Sequence, residues 1–130
     1  MEFLQPKNWP RPRGYANGIA ASGRMVFVSG MIGWDADGVF QTDDFAGQVH
    51  QALANIVAVL AEGGAKPEHI VRMTWYVLDK KEYVAAYPEI GAAYRDLIGR
   101  HYPTMSTVQV AGLVEDRARV EIEVTAVVPD

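Results

Sequence analysis

The chain predicts a two-layer α+β fold of order β-β-α-β-α-β-β, with both helices on one face of a single sheet. Three observations carry this. Several short segments alternate apolar and polar residues with period two, two long segments repeat apolar residues at steps of three and four, and glycine or proline punctuates the joints between them.

After a proline-rich lead (Pro6, Pro10, Pro12), Tyr15 to Ala21 reads as a short strand. Ser22-Gly23 is a turn, and Arg24 to Gly30 reads as a second strand in a hairpin with the first. Residues 32–38 form a loop with Asp37-Gly38 as its turn. Thr42 or Asp43 caps a helix running to about Glu62, whose Phe45, Val49, Leu53, Ile56, Val57 and Leu60 make one buried stripe. Gly63-Gly64 ends it, because glycine accepts the left-handed backbone that follows a last turn. Ile70 to Leu78 is a strand with Val71, Met73, Trp75 and Val77 inward and Arg72, Thr74 and Tyr76 outward. A second helix runs from Lys80 to Gly99, and Pro88 kinks it or joins two shorter helices.

The C-terminal segments read as a closing hairpin. On Arg119–Val128 the core side is Val120, Ile122, Val124, Ala126 and Val128. Arg119, Glu121, Glu123 and Thr125 take the other side, beside Thr107 and Gln109 of the preceding strand. That open face also carries Met25, Phe27 and Met31, a mixture that a monomer should not leave wet. The expectation is an oligomer whose open sheet faces are covered by symmetry mates.

One domain over residues 1–130 is expected, with 1–14 as an N-terminal arm, and an apolar fraction of 49% fits a packed core. A net charge of −4 without a lysine or arginine cluster argues against nucleic acid as partner. The chain contains no cysteine, so disulfides and thiolate chemistry are excluded, in keeping with a cytoplasmic location. No signal peptide and no membrane span are read in it.

Several runs recur together: Tyr15, Val28-Ser29-Gly30, Ala52-Leu53-Ala54-Asn55-Ile56, Thr74-Trp75-Tyr76-Val77, Tyr102-Pro103, Ser106-Thr107-Val108-Gln109-Val110 and Val120-Glu121-Ile122-Glu123. In this order they resemble the RidA/YjgF (Rid) family, also called endoribonuclease L-PSP-like, over nearly the whole chain from Tyr15 onward. The resemblance implies a chorismate-mutase-like homotrimer with its sheets facing inward and ligand clefts between subunits. It also implies hydrolysis of reactive enamines or imines, such as 2-aminoacrylate, to carbonyl compounds and ammonia. The family's carboxylate-gripping arginine, two residues after the proline, is here Met105; its cleft asparagine corresponds to Gly91, and its glutamine after Ser-Gly to Met31. An arginine-less branch is therefore expected, with 2-aminoacrylate an unsuitable substrate.

Glu121 matches the family carboxylate that positions water, and partial burial between subunits would raise its pKa toward general acid–base work. The alternative is an ion pair with Arg72 or Arg119, a role that suits Glu123 better. Thr107 stands where relatives carry cysteine and could hold the water with Glu121, or it is an ordinary strand threonine. Tyr15 closes the cleft or simply packs. Ser29-Gly30 offers backbone to the ligand or only ends a strand. Met31, Met105 and Trp34 define a more apolar pocket, unless Trp34 merely covers its loop. Arg13 is a candidate for the missing cation. His50, His69 and His101 lack metal-ligand spacing, so no metal or other cofactor is expected.

The preferred expectation is a trimeric imine or enamine deaminase taking a small-molecule substrate. The rival is a trimer that binds a metabolite without turning it over, and RNA cleavage is a distant third.

Overall fold

In chain order the computed structural model, which describes residues 1–130, contains β1 (Glu2–Leu4), β2 (Gly18–Ala20), β3 (Arg24–Ile32) and α1 (Phe45–Glu62). A 3₁₀ turn at Pro67–His69 leads into β4 (Ile70–Val77), α2 (Lys80–Ala85), α3 (Tyr87–Leu97), β5 (Thr104–Gln109) and β6 (Val120–Val128). The main sheet has the order β3-β6-β4-β5. Its α+β architecture is the expected one, with the helices layered on one face over a shared apolar core.

Two pairings differ from the sequence reading. The last two strands are not a hairpin: β4 lies between them, antiparallel to β6 and parallel to β5. Parallel neighbours need a crossover, which α2 and α3 supply. Likewise β2 pairs with β1, matching Phe3 to Ile19, while β3 pairs with β6. Tyr15 lies outside any strand, and Ala16 bridges to Thr104 of β5. Periodicity identifies a strand and its buried face but is silent on which strand lies beside it.

Helix α1 follows its apolar stripe, with Val49, Leu53, Ile56 and Leu60 fully buried. Each such side chain contributes about 1.5–3 kcal/mol of burial. Its cap is Asp44, one residue later than expected, whose carboxylate accepts from the Gly47 N–H at 2.9 Å. Thr42 instead accepts from the Asp44 N–H. Gly63 closes the helix and Gly64 takes φ +70°. Pro88 marks the junction of two helices, sitting in the first turn of α3 where its missing N–H costs nothing.

Gln48 is the one buried polar side chain, and it is fully used. Its amide donates to the carbonyls of Thr42 and Arg117, and its carbonyl accepts from the Arg119 N–H. This ties α1 to the loop before β6. No helix is long and apolar enough to cross a membrane.

Candidate functional site

The predicted site residues fall into two groups on opposite faces of the sheet. On the open face, Glu121 of β6 stands opposite Tyr76 of β4. A bulge in β3 between Val28 and Met31 brings Gly30 beside it, so that any side chain at position 30 would collide with the Glu121 carboxylate. Only glycine permits this approach. Glu121 is half-buried and has no hydrogen bond or ion pair. Its proposed structural partners are engaged elsewhere: Arg119 holds Glu82 at 2.7 Å, and Arg72 donates to the Ser106 hydroxyl at 3.2 Å.

Glu123 is not in an ion pair, contrary to expectation. It accepts a hydrogen bond from the Tyr76 hydroxyl at 2.8 Å. That bond, with the nearby charges of Glu123 and Glu121, pushes the Tyr76 phenol above its ordinary pKa, so it is neutral near pH 7. Periodicity places Tyr76 outward but gives no sign of this bond, because the pairing of β4 with β6 is not written in either strand. Ser29 lies exposed on this same face, lining a shallow hollow with Phe27, Arg72 and Glu123. Phe27 and Met25 are 68% and 56% exposed on this face.

The second group lies on the helix side. Thr107 is in register with buried Trp75, and its hydroxyl donates to the Tyr83 hydroxyl at 3.3 Å. Gln109 accepts from the Lys80 N–H, also toward the helices. Thr107 and Gln109 therefore do not share the open face with Glu121; Thr107 cannot hold a water with Glu121 of its own chain. The β5 run Thr-Met-Ser-Thr-Val-Gln is too evenly amphipathic for its polar residues to mark the solvent face.

Thr107, Met105 and Tyr15 line one cavity of about 870 Å³, together with Arg13 and Gly91. The Ala16 N–H donates to the Pro103 carbonyl at 2.9 Å, and this bond anchors the Arg13–Tyr15 segment beside β5. Tyrosines from α2, α3 and the approach to β5 complete the wall. Burial raises the Tyr83 phenol, partly offset by Thr107, and burial raises Tyr94 further, so both are neutral in ordinary conditions.

Two predicted pocket residues lie elsewhere. The β3 bulge reverses the alternation, so Met31 packs against the core instead of sharing the open face. Trp34 covers its loop, with its ring 5.9 Å from that of Phe40 and its carbonyl accepting from Asn55. The histidines are occupied locally: His50 pairs with Asp96, His69 accepts from the Lys66 N–H, and His101 bonds the Ile70 carbonyl. No group of three or more acidic or histidine side chains could hold a metal ion.

An open four-stranded sheet with helices on one face and a glycine-backed glutamate on the other defines a recognisable class of small α+β protein. The family model described as Endoribonuclease L-PSP matches residues 8–128. A RutC family protein of Aquifex aeolicus is 35% identical, over 98% of this chain and 99% of its own length. The 2-iminobutanoate/2-iminopropanoate deaminase of Salmonella typhimurium is 32% identical, over 87% and 86%. A Rid family protein of unknown function from Yersinia pestis, YyfB, superposes with a TM-score of 0.82 at 30% identity, over 98% of both chains. The chain belongs to the Rid/YjgF (endoribonuclease L-PSP) family.

Proposed function

We propose that the protein is a hydrolase that deaminates a reactive imine or enamine, and that it works as a homotrimer in which Glu121 of one copy completes the cavity of the next. The observation that carries this is the division of the site. The cavity has walls that orient a ligand but no carboxylate, while Glu121 stands unpartnered on an exposed sheet face. The relative named for 2-iminobutanoate and 2-iminopropanoate deamination supports the reaction class.

The chemistry balances without a cofactor, because a C=N group is already electrophilic: R₂C=NH + H₂O gives R₂C=O + NH₃. The Glu121 carboxylate takes a proton from water as its oxygen bonds to carbon. The resulting acid gives that proton to nitrogen, forming the carbinolamine R₂C(OH)NH₂. The carboxylate then takes the hydroxyl proton and delivers it to the amino nitrogen, so that the carbonyl forms, the C–N bond breaks and ammonia leaves. Tyr15 and the Gly30 backbone orient the ligand, and Thr107 supplies a hydroxyl. Met105 removes the cation from the place where the family grips a carboxylate, so 2-aminoacrylate is a poor substrate on this reading.

The test supplies imines generated by a partner oxidase and follows ammonia release, with Glu121→Gln in parallel and sedimentation to fix the assembly. Turnover indifferent to Glu121→Gln, or a monomer at micromolar concentration, would overturn the proposal. The second reading, a trimer that binds a metabolite without turnover, draws on the same Met105; it predicts ligand binding with no ammonia from any imine.

A further inference from the structure

The cavity that holds Tyr15 and Thr107 has an unusual wall. Five of its lining residues are tyrosines: Tyr15, Tyr83, Tyr87, Tyr94 and Tyr102. Four of them are pre-arranged in two pairs. Tyr83 and Tyr87 meet edge to face at 5.3 Å, and Tyr94 and Tyr102 stack at 5.4 Å with planes 9° apart. Trp75 and Ile90 deepen the apolar side. At about 870 Å³ the space falls in the range of pockets for ring-sized ligands, far larger than a three-carbon acid needs.

One lining side chain carries a charge, Arg13. It is exposed, and it belongs to none of the ion pairs, which are His50–Asp96, Arg117–Asp43 and Arg119–Glu82. The adjoining hollow, which shares Tyr15 and Tyr102, adds Arg11 and Arg100 and no carboxylate. Gly14, at φ +77°, makes the turn between Arg13 and Tyr15. The segment's register is set by the Ala16–Thr104 bridge.

From this we infer that the cavity takes an aromatic 2-imino or 2-oxo acid, its ring against the tyrosines and its carboxylate on Arg13. The ring of such a ligand meets tyrosine faces and edges, and its single negative charge meets the one cation that lines this cavity. The inference deepens the deaminase reading and rests on it for the reacting C=N group. The binding preference rests on the cavity alone.

The experiment titrates the full protein with phenylpyruvate and with pyruvate by calorimetry, and repeats both with Arg13→Gln. Phenylpyruvate should bind at least about tenfold more tightly than pyruvate, since the added ring is buried. Arg13→Gln should weaken phenylpyruvate about tenfold by removing the charge-assisted bond, and Arg13→Lys should recover part of it. Arg13 is exposed, so these variants fold. Equal affinity for the two acids, or an Arg13→Gln protein that binds as before, would overturn the inference. Ammonia release is read separately. Phenylpyruvate binding without turnover of the phenylalanine-derived imine sinks the deaminase reading alone. Turnover that favours small aliphatic imines and ignores Arg13 sinks the aromatic inference alone.

Discussion

The two faces of the sheet are built on opposite plans. On the helix side, chemistry-bearing groups are numerous and already occupied: Thr107 bonds Tyr83, and the Tyr94 hydroxyl donates to the His101 carbonyl at 2.6 Å. On the open side, Glu121 has no partner and is backed by a glycine that leaves it room. The first is a tyrosine-rich cavity wall with one charged side chain, Arg13. The second is a half-buried carboxylate with no partner inside its own chain. On the proposed function these are two halves of one site, which assembly would join.

The widest separation expected between the halves is kinetic. Glu121→Gln should lower kcat by about 100-fold or more while KM moves little, because it removes proton transfer and leaves binding; steady-state kinetics on a turned-over imine checks it. Gly30→Ala should cost nearly as much, since the new Cβ displaces the Glu121 carboxylate, with the circular dichroism spectrum unchanged. Met105→Arg tests the other half. It places a cation in the cavity wall and should raise kcat/KM for 2-aminoacrylate by about tenfold.

Smaller still is Thr107→Val, which loses one hydroxyl contact at 3.3 Å and should change KM by about two- to threefold. The smallest effect is on alkaline stability. Burial raises the Tyr94 phenol, so the folded chain holds its proton more tightly than the unfolded chain does. That contribution is complete below about pH 10 and is lost as pH rises through the elevated value. Tyr94→Phe should flatten the fall in denaturation midpoint above about pH 10 and leave its pH dependence near neutrality unchanged.

Much of this was legible in the residues. The stripe of α1, the alternation of β6, the Pro88 junction and the standing of Glu121 on an open face all follow from period and punctuation. Strand partners were not legible, because alternation in β5 and β6 is the same whether they touch or flank β4. The bulge at Ser29-Gly30 also escaped, and with it the side taken by Met31; one extra residue inverts the parity on which such reading depends. Tyr83, Tyr87 and Tyr94 recur at the spacing of an ordinary inner helix face. Their clustering around Gly91, with Tyr102 following, was the available sign that this face lines a cavity instead of filling the core.

The most direct measurement mixes two inactive variants. Glu121→Gln keeps the cavity and loses the carboxylate. Gly91→Phe fills the cavity, where an added Cβ meets only the mobile end of Arg95, and keeps the carboxylate. Co-refolded at equal amounts, they should regain about a quarter of wild-type deamination, the random share of seams with one sound half from each copy. No recovery from a mixture shown by mass to contain hetero-oligomers would contradict a site shared between copies.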